Sequence, residues 1–112
     1  MSKRPGYFYK QSGVIPIRKR HGKIELLMVT STNKKRWVIP KGVKEPDLSL
    51  KKSAIKEAWE EAGVRGKVSK PAIGAYRYRK WGGVCTVEVY VMEVSKVVSH
   101  WQESFRDRRW FT

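Results

Sequence analysis

The chain has 112 residues, enough for one hydrophobic core and too few for two domains of ordinary size. Lys and Arg number 25 against 10 Asp and Glu, a formal net charge of +15, while 40% of the residues are hydrophobic, an ordinary share for a globular protein. A solitary Cys85 excludes an internal disulfide, and no segment approaches the roughly 20 apolar residues that cross a bilayer. The opening "MSKRPGYFYK" lacks the apolar run of a signal peptide, so a cytoplasmic setting and no membrane partner are expected. The charge favours polyanionic partners, whether nucleic acid, polyphosphorylated small molecules or an anionic membrane surface, with a solvated basic surface as the plain alternative.

In chain order, residues 13–19, "GVIPIRK", and 24–31, "IELLMVTS", read as two strands joined by a turn at "RHGK". A polar loop, "TSTNKKR", leads to a short apolar strand over 37–40, "WVIP", and then to a loop over 41–47, "KGVKEPD". Residues 49–63 are predicted to form one helix, with Ser49 as N-cap and Gly63 as the C-terminal stop. On its wheel Ala54, Ile55, Ala58, Trp59 and Ala62 share one side, and Glu57, Glu60 and Glu61 share another. Residues 84–94 alternate in the manner of a strand, and with residues 67–80 and a turn at "WGG" (81–83) they predict a long antiparallel hairpin. "RRWF" (108–111) is a last short strand. No repeat or linker interrupts the chain, so residues 1–112 are read as a single mixed domain.

The helix "KEAWEEAGV" carries three carboxylates in a strongly basic chain, and two readings stand open. Glu57, Glu60 and Glu61 can pair with basic neighbours on a solvated face. Alternatively, their i, i+3, i+4 spacing can converge on a hard divalent cation, which takes oxygen ligands from one or two carboxylates plus substrate phosphates. The aromatics Trp37 and Trp59 lie among apolar neighbours and read as core, whereas Trp81, in a turn, reads either as packing on its own hairpin or as a stacking surface. His21 and His100 stand without ligand spacing.

From Gly42 the chain runs five residues to Leu48, seven more, and then "KEAWEEAGV". This order resembles the Nudix box: Gly, five residues, Glu, seven residues, Arg-Glu-aliphatic-x-Glu-Glu-x-Gly-aliphatic. Glu57, Ala58, Glu60, Glu61, Gly63 and Val64 match over residues 42–64, while Leu48 stands where the pattern has Glu and Lys56 where it has Arg. "RWVIPKG", "AGVRG" and "RRWF" extend the resemblance to the branch that hydrolyses diphosphoinositol and diadenosine polyphosphates.

The resemblance implies an α+β fold, a Nudix-type α/β/α sandwich with a mixed sheet. In the family a helix follows the "RRWF"-like strand and covers the sheet; none follows here, so that helix is expected to be missing or its surface covered by a neighbouring chain. It implies Mg²⁺, with Mn²⁺ as a substitute, held by Glu57, Glu60 and Glu61 and by a backbone carbonyl of Lys41 or Gly42. Glu57 or Glu60 would orient or deprotonate the attacking water. Arg36, Lys10, Arg18, Arg77 and Arg79 are the phosphate-binding candidates, and Glu88 and Glu93 are either an extra acid or plain strand surface. The implied activity is Mg²⁺-dependent hydrolysis of a phosphoanhydride bond in a polyphosphorylated metabolite, a dinucleoside polyphosphate or a diphosphoinositol polyphosphate. Two alternatives accompany it. Leu48 and Lys56 suggest a weakened enzyme acting as a polyanion-binding module, because the resemblance implies an arginine that helps hold the catalytic glutamate and an earlier glutamate that supports the same site, and Lys lacks the planar fork with which Arg grips a carboxylate. The charge and the hairpin aromatics suggest RNA binding or decapping, although no RNA-recognition motif is present.

Overall fold

The computed structural model describes residues 4–69 and 71–112. A 3₁₀ turn at Gly6–Tyr9 leads into β1 (Lys10–Arg20), followed by β2 (Lys23–Thr30), β3 (Trp37–Val38), β4 (Lys41–Val43) and the helix α1 (Leu50–Glu57). The helix passes into a π-helical turn at Ala58–Ala62, and β5 (Val64–Val68), β6 (Gly74–Lys80), β7 (Gly83–Val97) and β8 (Arg108–Phe111) complete the chain. The strands form one mixed sheet around a parallel β1–β7 pair, Lys10 to Ile17 lying beside Thr86 to Glu93. On its other edge β1 bends between two antiparallel partners, β4 at its start and β2 at its end. The mixed sheet and the α+β class are as expected; α1 with its π turn is the helical layer among the described residues.

Three departures from the sequence reading have local causes. The stretch after Pro40 is not all loop: Lys41, Gly42 and Val43 pair with Gly13, Ser12 and Gln11. The first arm of the expected hairpin is two strands, with Pro71 and Ala72 lying between them, and β5 and β6 pair with opposite ends of the 15-residue β7. Trp37 is 38% exposed at the sheet edge and meets Phe111 edge to face, ring centroids 5.3 Å apart, so it is not core.

The helix is seated by its small residues. Ala54, Ala58 and Ala62, all fully buried, let it lie close against Val14, Leu27, Val29, Tyr90 and Met92 of the sheet. Its start is fixed by Ser49, whose side chain accepts from the Lys52 amide, a cap worth about 1 kcal/mol. It ends at Gly63, whose φ of 65° lies in the left-handed region glycine enters without penalty. Arg108 of β8 closes that end, donating to the carbonyls of Ala62 and Val98 while lying 4.0 Å over the Trp101 ring. No described helix is long and apolar enough to cross a membrane.

Candidate active site

Two four-residue ladders run side by side along the end of the helix. In one, Lys56 reaches Glu60, Nζ to Oε2 at 2.8 Å. In the other, Glu57 and Glu61 interact carboxyl to carboxyl. The π turn is wider than an α turn, a distortion common where helices carry function. The three glutamates are therefore divided. Glu57 and Glu61 form a partly desolvated pair, and Glu60 is turned to a lysine. Among the described residues no three acid, His or Cys side chains form a ready ligand cluster.

The acid pair is built into the sheet edge. Glu61 is only 7% exposed and accepts from the Lys41 amide at 3.2 Å. The Glu57 carboxyl occupies the space a Cβ on Gly42 would need, its carbon 2.4 Å from that position. Ser12 lies directly opposite Gly42 in the β1–β4 pairing, and its hydroxyl is buried with no hydrogen-bond partner among the described residues. Burial pushes the Glu57 carboxyl up to about 8, reinforced by the charge of Glu61 and then by Glu60 and Glu103. Burial also pushes Glu61 up, to about 7, against the opposing pull of Arg106 and the Lys41 amide. Two carboxylates that resist ionising together, a cradle open only because residue 42 is glycine, and an orphaned hydroxyl fit a hard divalent cation, which would relieve the repulsion and accept all these oxygens.

Glu61 of the pair lines a cavity of about 280 Å³ whose cationic lining is Arg36, Lys41, Lys80 and Arg106. Lys41 donates to the Tyr78 hydroxyl at 3.0 Å, and that hydroxyl donates to Gln11 Oε1 at 2.8 Å. Trp81 stands at the rim, packed edge-on by Phe8 and Tyr9 with the Lys80 ammonium 4.7 Å from its ring centroid. It both packs on its hairpin and faces the cavity.

Of the expected phosphate-binding residues, Arg36 lines this cavity and the others do not. Side chains alternate along β6, so Tyr78 and Lys80 face the cavity while Arg77 and Arg79 point to the opposite side. Lys10 is opposed to Gln11 by the same alternation and borders a separate cavity with Leu50 and Thr86. Arg18 is at the far end of β1, paired with Glu25 at 2.7 Å and stacked 3.9 Å over Trp110. Glu88 faces the helix side and Glu93 the far end of the sheet, so neither joins the acid pair.

An acid from outside the helix, Glu103, does stand beside the pair. Its amide donates to the Glu60 carbonyl at 2.9 Å, and its charge bears on both Glu57 and Glu61. Arg106 holds it, Nη2 to Oε1 at 2.9 Å, while Nη1 donates to the Thr30 carbonyl at 2.8 Å and Nη2 lies 3.9 Å from Glu61. Sequence reasoning missed both residues because "QESFRD" has no strand or helix period. The one available signal was an Asp/Glu–Arg pair at i, i+3 next to the last strand.

A buried acid pair with one member, Glu61, lining a cation-walled cleft, on a loop–helix unit docked to a mixed sheet, defines a domain suited to gripping a phosphate chain through a divalent cation. The NUDIX domain profile matches residues 9–112, and the chain belongs to the Nudix family. It is 33% identical over 99 residues to the mitochondrial Nudix hydrolase 13 of Arabidopsis thaliana, covering 79% of this chain and 49% of that protein. To human diphosphoinositol polyphosphate phosphohydrolase 3-alpha it is 31% identical over 110 residues, covering 96% of this chain and 66% of the relative. The chain thus spans about half of the plant relative and two thirds of the human one. Among solved structures, the C. elegans Ap4A hydrolase superposes with a TM-score of 0.74 at 25% identity, over 91% of this chain and 78% of that one.

Proposed function

We propose that this domain hydrolyses a phosphoanhydride bond in a polyphosphorylated metabolite, with a divalent cation, Mg²⁺ or in its place Mn²⁺, held by Glu57 and Glu61. The observation that carries the reading is that Glu61, coupled to Glu57 behind it, lines one cavity with Arg36, Lys41, Lys80 and Arg106. A backbone carbonyl of Lys41 or Gly42 adds an oxygen ligand. What the cation supplies when bound is neutralisation of the charge developing on the phosphate oxygens. Glu60 is outside the Glu57–Glu61 pair and aimed by Lys56, so it is the residue assigned to orient the attacking water, with Glu57 as its alternate. The cationic wall binds the phosphates bracketing the scissile bond, and Trp81 offers a rim surface for a base or ring.

Two substrate classes are favoured by the relatives, dinucleoside polyphosphates and diphosphoinositol polyphosphates. Cys85, free and buried, accords with a reducing, cytoplasmic setting. The test is hydrolysis of diadenosine polyphosphates, diphosphoinositol phosphates, ADP-ribose and capped RNA with Mg²⁺, comparing the wild type with Glu61→Gln. Turnover abolished in the variant supports the reading. Binding of these compounds by the wild type without turnover would replace it with a binding module.

A further inference from the structure

The box pattern puts an acid at 48 and an arginine at 56, and this chain has Leu48 and Lys56. The structure supplies a carboxylate from elsewhere. Lys56 Nζ lies 2.7 Å from Glu45 Oε2 and 2.8 Å from Glu60 Oε2, so one ammonium bridges two acids.

Glu45 is not a loose surface residue that happens to fall nearby. Its amide donates to the hydroxyl of Ser53, which is fully buried on α1. Its carbonyl accepts from the Leu48 amide at 3.0 Å and from Lys44 Nζ at 3.2 Å. The turn 45–48 thus folds Glu45 back over the helix, toward the turn that carries Lys56. Lysine suits the arrangement, since its compact ammonium has three donors on one atom and can meet two acids that approach it from different directions. Stability does not explain the bridge. Lys56 and Glu45 are each more than a third exposed, and pairs of that kind contribute little. The Lys56–Glu60 pair also runs Lys before Glu, the poorer order for an i, i+4 pair on a helix.

We propose that Glu45 is a positioning residue: through Lys56 it aims the Glu60 carboxylate, taking over the work of the acid that Leu48 replaces. This rests on the assignment of Glu60 to the attacking water, and it makes Leu48 a relocation of the supporting acid and not a loss of it.

The test compares wild type, Glu45→Gln, Glu45→Asp and Glu45→Gln with Leu48→Glu. Glu45→Gln is expected to lower kcat about tenfold or more with KM within about twofold, the usual cost of losing a supporting partner. Leu48→Glu in that background restores most of the loss, and Glu45→Asp keeps part of the activity. A kcat within about twofold of wild type in Glu45→Gln, or no recovery with Leu48→Glu, overturns the proposal. A second readout needs no turnover. In ¹³C-labelled protein the Glu60 carboxyl resonance shifts and loses its single-rotamer couplings in Glu45→Gln and regains them in the double variant. An unmoved Glu60 signal overturns the proposal. Failure of the wild type to hydrolyse any compound, with the Glu60 signal responding as described, overturns the functional reading alone.

Discussion

A Cβ added to Gly42 would lie 2.4 Å from the carboxyl carbon of Glu57 and 2.5 and 2.8 Å from its two oxygens. Separations this short do not occur, so Gly42→Ala must either swing the carboxylate away or push β4 off β1. The swing is the smaller disturbance, because Glu57 has free rotamers and β4 is hydrogen-bonded. Gly42→Ala is therefore expected to cut turnover about 100-fold, the cost of misplacing a reacting group by about 1 Å. Melting should stay cooperative, and Mn²⁺ affinity measured by electron paramagnetic resonance should fall in parallel. Unchanged metal affinity in a well-folded Gly42→Ala protein would separate Glu57 from the metal.

The acid pair also predicts how stability depends on pH. Both carboxyls titrate higher in the folded chain than the ordinary 4.5, because burial disfavours their charge. Between about pH 4.5 and 8 the folded state thus binds more protons than the unfolded one, and stability falls as pH rises through that window. The metal-free protein is expected to melt at progressively lower temperature from pH 5 to pH 8.5. Glu57→Gln flattens the slope, and Mg²⁺ raises the melting temperature more at pH 8 than at pH 6. A melting temperature that climbs over this range in the metal-free protein would contradict the pair's geometry.

How much of this was legible in the sequence depended on whether one element carried the signal. Ser49, Gly63 and the three alanines announce the helix and its buried face through local periodicity. Glu57 and Glu61 are four apart, so one helix brings them together. The division of Glu60 from that pair was half legible: Lys56 and Glu60 are also four apart, but the approach of Glu45 to Lys56 comes from a loop. The cationic wall was not legible. The choice of Lys80 over Arg77 and Arg79 is a matter of strand phase, which the register of β6 on β7 sets and composition does not. Glu103 and Arg106 come from an aperiodic turn held to the helix by the Glu103 amide on the Glu60 carbonyl and to β2 by the hydrogen bonds Thr30 exchanges with Asp107.

That turn yields a stability prediction. The Arg106 side chain is 10% exposed and is the counter-charge to Glu103 and, more distantly, Glu61. Arg106→Gln leaves two acids unpaired in partly desolvated surroundings, which costs about 3 kcal/mol when a buried pair is broken from one side. Glu103→Gln added to it should recover part of that loss, because the stranded charge is then gone. Urea unfolding of the two single variants and the double variant measures the coupling directly. Strict additivity would show that Arg106 and Glu103 act independently.

The cavity wall sets the last expectation. Arg36 and Lys80 enter the 280 Å³ cavity from opposite sides, one from the loop before β3 and one from the end of β6, and neither is ion-paired among the described residues. A free cation facing a phosphate contributes a charge-assisted hydrogen bond worth about 1.5–3 kcal/mol. Arg36→Ala and Lys80→Ala should therefore each raise KM about tenfold or more. They should change kcat less, because neither touches Glu57, Glu60 or Glu61. Lys23→Ala, at the β1–β2 turn, carries away the same charge far from the cavity and should leave KM unchanged at moderate ionic strength. Steady-state kinetics on the preferred compound, repeated at low and high salt, separates the two cases. An equal rise in KM for all three variants would mean that the chain attracts its substrate by overall charge and that the cavity makes no specific grip.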